Sequence, residues 1–391
     1  MRAVGLITEY NPLHNGHRYH LQQAKQLSGA DCTVAVMSGN WLQRGEPAIL
    51  DKWTRAQLAL QAGVDLVVEL PVFYATQPAH LFARGGVEIL GALGVDSLVF
   101  GAEHPELDFE RLTTALAEHT AAFKHYNATY ATQFNAALKA ATGVTLTHAN
   151  DMLSFCYYVA NQQLAHPMTL IPIQRQHADH GEVAITDTHF ASGTAVRKAA
   201  FAQQWDELAG VVPASTLHQL RTQRLQRWDD FWPLLQYQLL TASIAQSGSY
   251  DQMAEGLEYR MHEMAQTATD FDDFIHQVKS KRYTYTRLQR VATAALLQLT
   301  QTEVQRAQTQ NYVRVLGFNT TGQAYLHQVK KTLSLPLYTK INKDLRLHAL
   351  SLDYRAGRVY QLINGASQDL YRKPWRLDES FGWPKATFLV E

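Results

Sequence analysis

The 391-residue sequence predicts an α/β protein in which a Rossmann-like parallel sheet is followed by a mainly helical C-terminal domain. Through roughly the first quarter of the chain, short apolar segments of strand length alternate with helical segments. This pattern is typical of a parallel sheet that helices cover on both faces. Near residue 211 the alternation stops, and the chain to about residue 308 has the apolar spacing of helices. These two observations predict domains at residues 1–208 and 209–391.

The strands and helices of the first domain follow in order. Residues 3–7 form an apolar run that the turn-forming pair Asn11–Pro12 ends, and residues 18–27 continue as an amphipathic helix. Further strands are predicted at residues 33–37, 65–70, 97–101 and 169–175, and further helices at residues 52–62, 78–93 and 193–201. Ligands of parallel α/β sheets bind beyond the carboxyl ends of the strands, so the segments after these strands are expected to face one crevice.

The second domain is predicted to have its own helical core and a small mixed region at its end. Six apolar side chains are spaced for one buried helix face: Trp228, Phe231, Trp232, Leu235, Leu239 and Leu240. We interpret the aromatic members as core residues rather than as a stacking platform. After residue 312, short apolar runs at residues 313–316, 333–338 and 358–362 indicate the mixed region.

Composition limits the class of protein. A hydrophobic content of 46% and a charged content of 18% are typical of a soluble globular chain. The sequence has no long uncharged apolar segment, so no transmembrane helix is expected. The start of the sequence lacks the pattern of a signal peptide, so a cytoplasmic location is expected. Cys32 and Cys156, without CxxC spacing, argue against a disulfide scaffold or a zinc knuckle and indicate buried thiols.

Charge is unevenly distributed along a chain whose net charge is zero. Residues 251–273 contain seven acidic residues and one basic residue, whereas residues 279–346 contain twelve basic and two acidic residues. Such segregation suits a face that binds a polyanion. The alternative is a basic helix that the preceding acidic segment neutralises.

The most informative local pattern is His14-Asn15-Gly16-His17, which follows the first strand and opens the first helix. Backbone N–H groups point outward at a helix N-terminus, where the helix dipole favours an anion. Two imidazoles, with a glycine that admits a close ligand, predict a nucleotide phosphate as that anion. The alternative is a pair of surface histidines in a loop.

A second pattern of the same character precedes residue 200. Ser192 is the predicted N-cap of a helix, with Thr194 and Arg197 in its first turns. Adenylyl transfer needs groups that hold a triphosphate and stabilise charge on its oxygens. A well-placed donor contributes about 2.7–4 kcal/mol to a transition state, more than the ~0.3–1 kcal/mol that a helix terminus gives an exposed anion. The histidines and Arg197 are therefore expected to matter more than the helix dipoles.

Other polar residues give weaker indications. Gln43, Arg44 and Lys52 follow the second strand and are candidates to neutralise a small carboxylate or pyrophosphate, with a solvated loop as the alternative. The polar segment with His177, Asp179, His180, Asp187 and His189 fits no standard zinc spacing, so no dedicated metal site is predicted. Mg²⁺ is expected to bind through nucleotide phosphates.

The run from Glu9 to His17 resembles the signature of the HIGH-type nucleotidyltransferase superfamily. The longer match is to the tRNA(Met) cytidine acetate ligase family, and it includes residues 36–48, 63–71, 191–197 and 280–290. The resemblance implies a HIGH nucleotidyltransferase fold for residues 1–208 and a tRNA-binding role for residues 209–391.

The resemblance also implies roles for single residues. The catalytic group is His14, His17, Ser192, Thr194 and Arg197. The ATP-binding group is Ile7, Thr8, Glu9, Tyr10, Asn11, Pro12, Leu13, His14, Asn15, Gly16, His17, Arg18, Tyr19, His20, Gly101, Arg175, and Asn150 or Asp151, both of which stand at the family's position. A tRNA-contacting helix is implied by Lys279, Lys281, Arg282, Tyr283, Arg287 and Arg290, and i, i+3 and i+4 spacing is expected to place the last three on one face.

The expected activity is therefore that of an ATP-dependent ligase. It would form acetyl-adenylate from acetate and acetylate the exocyclic amine of the wobble cytidine of elongator tRNA(Met), giving N4-acetylcytidine. Acetate, the cytidine and the tRNA come from the resemblance, and no obligatory protein partner is evident. Two alternatives remain open: a small-molecule cofactor-type adenylyltransferase, and an RNA-binding module with a nucleotide-sensing site.

Overall fold

The computed structural model of the protein describes residues 1–117, 130–175 and 184–377. Within these residues, eight strands form one sheet. They are β1 (Ala3–Thr8), β2 (Cys32–Ser38), β3 (Leu66–Leu70), β4 (Ser97–Ala102), β5 (Thr169–Gln174), β6 (Val313–Asn319), β7 (Leu337–Tyr338) and β8 (Trp375–Leu377).

The strand order is β5-β4-β1-β2-β3-β6-β7, and β8 also pairs with β6. Strands β1 to β5 are parallel to one another, as the near-continuous apolar runs predict. From β1 the chain moves outward through β2 and β3, and then crosses to the opposite side of β1 to form β4 and β5. The order therefore reverses at β1, and the crevice beyond its carboxyl end is where ligands of such sheets bind.

Helices cover both faces of the parallel strands. Those of the first part of the chain are α1 (Asn15–Ser28), α2 (Lys52–Gln61), α3 (Val72–Ala75), α4 (Ala79–Ala92), α5 (Phe109–Ala117), α6 (Tyr130–Thr142), α7 (Ala149–Asn161) and α8 (Gly193–Phe201). Every residue of β2 and β3 is buried. The predicted α/β class and parallel sheet are confirmed.

A second group of helices follows the sheet helices. It consists of α9 (Trp205–Val211), α10 (Ala214–Thr222), α11 (Trp228–Thr241), α12 (Ile244–Gly248), α13 (Leu257–Met264), α14 (Phe271–Val278), α15 (Tyr285–Leu296) and α16 (Gln301–Gln308). The predicted aromatic core is confirmed, because Trp228, Phe231 and Trp232 are buried and Trp228 stacks on Phe271. Leu240 is the exception, with 42% of its surface exposed.

The C-terminal region contains α17 (Thr320–Val329) and α18 (Ser351–Asn364) besides its three strands. It does not form a separate sheet, because β6 pairs antiparallel with β3 and extends the sheet of the first part. The apolar run 358–362 lies within α18, where it contributes Tyr360 to the core. An apolar run this short does not distinguish a strand from one face of a buried helix.

A buried charge cluster joins the C-terminal region to the sheet. Lys52 Nζ lies 2.8 Å from Glu69 Oε1 and 2.7 Å from Asp369 Oδ1. The Arg314 guanidinium lies 2.8 Å from both of these acidic side chains. Lys52 therefore serves neither as a crevice residue nor as part of a solvated loop, and the prediction made for it was wrong. It sits at the start of α2, which directs its side chain into the protein rather than toward the crevice.

Two further expectations concern the whole chain. None of the helices in the described ranges is both long and apolar enough to cross a bilayer. Cys32 and Cys156 are buried free thiols, as predicted.

Candidate active site

A cavity of about 530 Å³ opens beyond the carboxyl ends of β1 and β4. The two predicted phosphate-binding patterns both line it, although more than 170 residues of sequence separate them. The topology explains this meeting, because β1 lies at the point where the strand order reverses.

The first pattern surrounds the start of α1. His14 is the N-cap residue, and its backbone N–H donates to Nδ1 of His17 at 3.3 Å. The two imidazole rings stack with centroids 3.8 Å apart. A Cβ on Gly16 would lie 3.0 Å from the His14 ring, so glycine keeps this stacked pair free of crowding. Among the described residues, the buried Nδ1 of His14 has no hydrogen-bond partner.

Burial controls the charge of these histidines. Desolvation, followed by repulsion from Arg175 and Arg197, lowers the pKa of His14 to about 3. Desolvation also lowers the pKa of His17 well below its ordinary value, and that of His20 to about 4. All three imidazoles are therefore neutral at pH 7 in the free protein, and an anion in the cavity would favour their protonation.

The second pattern begins at the N-terminus of α8. The Ser192 hydroxyl is the N-cap and accepts a hydrogen bond from the Ala195 backbone at 3.0 Å, as predicted. Arg197 Nη1 donates to the Asn11 carbonyl at 3.0 Å, so it links the two patterns directly. Arg197 Nη2 lies 3.5 Å from Glu46 and 3.4 Å from Thr194 Oγ1. Ser192, Thr194 and Arg197 all face the cavity.

Only part of the predicted ATP-binding segment 7–20 lies on the cavity wall. The residues that line the cavity are Ile7, Thr8, Glu9, Tyr10, Asn11, His14, Gly16, His17, Tyr19 and His20. Pro12, Leu13, Asn15 and Arg18 lie outside the lining. Asn15 has a different role, because its amide donates to the carbonyls of His189 and Gly210 at 3.0 and 2.8 Å. These bonds hold the start of α1 against the segments on either side of α8.

The structure separates the two neighbours that the sequence left as alternatives. Asn150 lines the cavity with Gly101 and Arg175. The Asp151 carboxylate is buried instead, and it accepts from the backbone N–H groups of Glu103 and His104, both at 2.9 Å. Both residues lie in the first turn of α7, whose N-cap is His148. The geometry favours Asn150 for a ligand contact.

His104, His148 and Asp151 form the one group of three potential metal ligands among the described residues. His104 Nδ1 lies 2.6 Å from Asp151 Oδ2, which is a hydrogen-bond distance. Two ligands of a tetrahedral zinc ion, each about 2.0 Å from the metal, would be about 3.3 Å apart. The arrangement is therefore that of a histidine–carboxylate pair that holds β4 against α7. In the polar segment, His177, Asp179 and His180 lie outside the described residues.

Gln43 and Arg44 line the cavity from the loop after β2, where the sequence predicts the segment after the second strand to lie. The structure also brings into the cavity three residues that the sequence did not connect with it: Glu46 from the same loop, and Thr286 and Arg290 from α15. Glu9 accepts from the Gln43 backbone at 2.7 Å, and burial raises the pKa of this carboxyl group. The sequence had no local signal for Thr286 and Arg290 as cavity residues, since they are more than 200 residues from the first pattern.

Arg55 is a further residue that the sequence did not single out. Its buried guanidinium donates to the carbonyls of Glu9 and Ser38, at 2.6 and 3.0 Å, and also to that of Gly39. It thereby fixes the ends of β1 and β2 where they enter the cavity.

The residues of the basic segment 279–290 differ in their exposure and in what they face. Lys281 and Arg282 are exposed, and Lys279 and Arg287 are partly exposed. Tyr283 is buried and precedes α15, so it does not share a helix face with Arg287 as predicted. The Arg287 guanidinium lies 5.0 Å from the centroid of the Tyr283 ring. Arg290 lines the cavity. In the described part of the chain, none of the five basic side chains forms a salt bridge with the acidic segment. Asp251 of that segment acts on Arg290 only without direct contact, where its charge works against the lowering of the Arg290 pKa by burial.

The cavity therefore combines cationic arginines, neutral imidazoles that can donate hydrogen bonds, and backbone N–H groups at two helix N-termini. Arg175 and Arg197 act on His14, so positive charge is concentrated where the two patterns meet. Such a site can hold an anion with several phosphate groups and stabilise charge that develops on it.

Comparison with known proteins also indicates a nucleotide-binding protein. The family model described as HIGH Nucleotidyl Transferase matches residues 1–373. A tRNA(Met) cytidine acetate ligase of Lactiplantibacillus plantarum is 76% identical over 383 residues, which cover 98% of this chain and 100% of that protein. A protein of the same name from Levilactobacillus brevis is 49% identical over 381 residues, with 97% and 99% covered.

Two solved structures are also similar to this chain over nearly its whole length. The apo crystal structure of Thermotoga maritima TmcAL (form I) superposes with a TM-score of 0.89 at 29% identity, covering 97% of this chain and 100% of that chain. The same protein bound with alpha-thio ATP (form II) gives a TM-score of 0.87 with the same identity and coverage. By the family model and by near-complete coverage at 76% identity, this chain belongs to the tRNA(Met) cytidine acetate ligase family of HIGH nucleotidyl transferases.

Proposed function

We propose that the protein is an ATP-dependent ligase that activates acetate and transfers its acetyl group to the exocyclic amine of the wobble cytidine of elongator tRNA(Met). The observation that carries this proposal is the meeting of the two phosphate-binding patterns in one cavity, joined by the hydrogen bond from Arg197 to the Asn11 carbonyl. Its relatives' name and the bound ATP analogue of the TmcAL structure support the same assignment.

The reaction has two steps. A carboxylate oxygen of acetate attacks the α-phosphorus of ATP, and the bond from that phosphorus to the bridging oxygen breaks, releasing pyrophosphate. The cytidine amine then attacks the acetyl carbonyl carbon, AMP leaves with the bridging oxygen, and the amine loses a proton. The first step is needed because a delocalised exocyclic amine is a poor nucleophile toward a free carboxylate.

The proposed catalytic residues are His14, His17, Ser192, Thr194 and Arg197. His14 and His17 would donate to phosphate oxygens, and Arg197 would stabilise charge on the leaving pyrophosphate. Gly101, Asn150 and Arg175 would hold the rest of the nucleotide. Asp151 would act on Asn150 indirectly, through the hydrogen bonds that fix the start of α7.

Mg²⁺ fits this site as an ion carried by the nucleotide. Two carboxylates line the described part of the cavity, and both are engaged: Glu9 by the Gln43 backbone and Glu46 by Arg197. Mg²⁺ commonly binds through substrate phosphates with few protein carboxylates. We therefore expect chelation by EDTA to abolish the first step and added Mg²⁺ to restore it.

For the RNA, we propose contacts from Lys279, Lys281, Arg282 and Arg287, on the outer side of the segment that begins α15. Lysine and arginine that contact phosphates make binding dependent on salt, with a slope of about −0.7 in log affinity against log salt for each phosphate of a single strand. An RNA substrate and two buried free thiols also favour action in the cytoplasm.

The test is exchange of labelled pyrophosphate into ATP in the presence of acetate and the absence of RNA. The wild-type protein should catalyse this exchange, and His17→Ala should reduce it by about 10²–10³-fold because a transition-state donor is lost. The same variant should bind tRNA(Met) like the wild type. Exchange that survives in His17→Ala would show that the site assignment is wrong.

The same assay separates the two alternatives. A cofactor-type adenylyltransferase would exchange pyrophosphate with a small phosphate ester rather than with acetate, and a nucleotide-sensing RNA-binding module would not catalyse exchange. A panel of short carboxylic acids and phosphate esters therefore discriminates all three activities. The presence of Thr286 and Arg290 from α15 in the cavity wall favours the ligase, because a cofactor-type enzyme needs little beyond the sheet.

A further inference from the structure

Arg290 holds an unusual position for a residue of a basic RNA-binding segment. It lies one turn beyond Thr286 on α15, and both residues line the cavity of the two phosphate-binding patterns. Its side chain is half-buried, and its Nε donates to Gln252 Oε1 at 2.9 Å. Among the described residues, no carboxylate lies within 4 Å of its guanidinium, so a partly desolvated cation faces the cavity without a direct counter-ion.

A chain of hydrogen bonds fixes this cation relative to the first pattern. Gln252 and Gln77 both donate to Asp251 Oδ2, at 3.2 and 2.7 Å. Gln43 Nε2 donates to the Gln77 carbonyl at 3.1 Å, and the Gln43 backbone donates to Glu9. Because each link is a hydrogen bond that is partly or wholly buried, Arg290 is held in place before any ligand binds.

The loop after β2 holds the helix itself in position. Gly45 has a φ of +74°, and a Cβ on it would overlap the backbone of Gln289 and Arg290. The Gly45 carbonyl accepts from Trp228 Nε1 at 2.8 Å and from Thr293 Oγ1 at 3.0 Å. α15 is therefore packed directly on the cavity wall.

Arg290 acts on a different histidine from the arginines of the phosphate region. Arg175 and Arg197 lower the pKa of His14, whereas Arg290 contributes to lowering the pKa of His80, in the first turn of α4. Ala79 and Phe82, two apolar residues on the same helix as His80, line the cavity. In this part of the cavity, Arg290 therefore lies near the start of the helix that supplies Ala79 and Phe82 to the wall, and none of these three residues belongs to a phosphate-binding pattern.

We propose that this part of the cavity is the subsite for the short carboxylic acid, in which Arg290 binds the carboxylate and Ala79 and Phe82 contact its alkyl group. The inference rests on the proposed function and adds the location of its second substrate. A guanidinium pairs with a carboxylate through two parallel hydrogen bonds, which also orients the acid. It reduces the repulsion between the incoming carboxylate and the α-phosphate, two anions that must approach to react.

An RNA phosphate is the competing ligand for Arg290. The cavity location argues against it, because Lys281 and Arg282 on the same segment are exposed while Arg290 is directed into the interior. A backbone phosphate binds most readily to an accessible cation, whereas a small acid can enter the cavity beside the nucleotide.

The test measures pyrophosphate exchange without RNA while acetate is varied at saturating ATP. Arg290→Gln should raise the KM for acetate by about ten- to a hundredfold, the loss typical of a hydrogen bond to a charged group. Its KM for ATP and its affinity for tRNA(Met) should stay within about twofold of the wild type. Arg290→Lys should recover part of the loss, because it keeps the charge but not the paired geometry.

Arg306→Gln is the matched control, since Arg306 is an exposed arginine of the neighbouring helix α16 and lies outside the cavity lining. It should leave both KM values unchanged. If Arg290→Gln keeps the wild-type KM for acetate and instead weakens tRNA binding, Arg290 is an RNA contact and the inference is overturned. An equal rise in the KM for ATP would overturn it as well, because the residue would then bind phosphate.

A second variant protects the test against misfolding of Arg290→Gln. Phe82→Ala should remove part of the apolar wall, enlarge the space for the alkyl group and shift the preference among acids from acetate toward propionate or butyrate. An unchanged chain-length profile would contradict the proposed subsite. Failure of the proposed function is distinguishable, since the wild-type protein itself would then show no exchange that depends on acetate.

Discussion

His14 and His17 show how burial prepares a side chain for an anionic ligand. Both imidazoles lie beside arginines, so in the free protein they remain uncharged well below the pH at which an exposed histidine protonates. A neutral imidazole still donates one hydrogen bond, and it gains a proton readily once negative charge is near. The free site therefore avoids the repulsion that two further cations beside Arg175 and Arg197 would cause.

This arrangement predicts a pH dependence of stability with a definite sign. The pKa of His14 is about 3 in the folded protein and near 6.5 in an unfolded chain, so the unfolded state binds more protons between these values. Stability contributed by the neutral form is present above pH 6.5 and is lost as the pH falls. His14→Gln should therefore lose less stability than the wild type on acidification from pH 7 to pH 5, measured as melting temperature against pH.

His104 provides a control of opposite sign. Its hydrogen bond to Asp151 raises the pKa of this imidazole, so its stabilising effect is present below pH 6.5 and is lost as the pH rises through the higher folded value. His104→Gln should destabilise the protein more at pH 5.5 than at pH 8. If the melting temperatures of both variants change with pH between 5 and 8 in the same way as that of the wild type, both assignments are contradicted.

At the scale of elements, the active site is completed by the contact between α15 and the loop after β2. Gly45 lies at this contact, and its carbonyl accepts hydrogen bonds from α11 and α15. The sheet supplies the phosphate-binding patterns, and α15 supplies the opposite wall with Thr286 and Arg290. A small displacement of α15 would therefore change the cavity without altering either pattern.

Gly45→Ala tests this contact. The substitution costs about 1 kcal/mol at a positive φ, and the added Cβ also overlaps the backbone at Gln289 and Arg290. We expect a lower melting temperature and a higher KM for acetate in pyrophosphate exchange, because Arg290 is displaced. Gly94→Ala is the matched control, since Gly94 has a φ of +69° but no atom within 4 Å of the added Cβ. Equal effects of the two substitutions would indicate that only backbone strain is measured.

At the scale of the whole molecule, the charge cluster of Lys52, Glu69, Arg314 and Asp369 holds together segments that are far apart in sequence. The four side chains are at most 2% exposed and come from α2, β3, β6 and the segment after α18. Desolvation of four charged groups is costly, so the cluster is stable only while every member has a partner. Its presence makes the C-terminal strands part of the sheet that carries the active site.

Asp369→Asn should destabilise the protein by about 3–5 kcal/mol, because Lys52 and Arg314 would lose a buried counter-ion. Urea-induced unfolding monitored by tryptophan fluorescence measures the change. Arg84→Gln is the control: it breaks the Arg84–Glu88 pair, whose side chains are 44% and 29% exposed, and should cost about 0–1 kcal/mol. An effect of Asp369→Asn as small as that of the control would show that the cluster contributes little to the fold.

Features that depend on neighbouring residues could be predicted from the amino-acid order. Apolar periodicity predicted the parallel strands β1 to β5, and local capping chemistry predicted Ser192 as the N-cap of α8. The two phosphate-binding patterns were also recognised from the sequence, and the crevice in which they meet follows from the rule that parallel strands present their carboxyl ends at one edge.

The three-dimensional packing was needed to show which distant residues complete that crevice. It placed Arg290 in the cavity, Lys52 in a buried charge cluster, Asn150 rather than Asp151 on the cavity wall, and β6 on the edge of the first sheet. Each of these depends on the packing of segments that are dozens to hundreds of residues apart. Local patterns specify which face of an element is apolar, but the direction of a single polar side chain is set by the elements packed against it. That is the physical reason why the phosphate-binding half of the site was predictable and the half contributed by α15 was not.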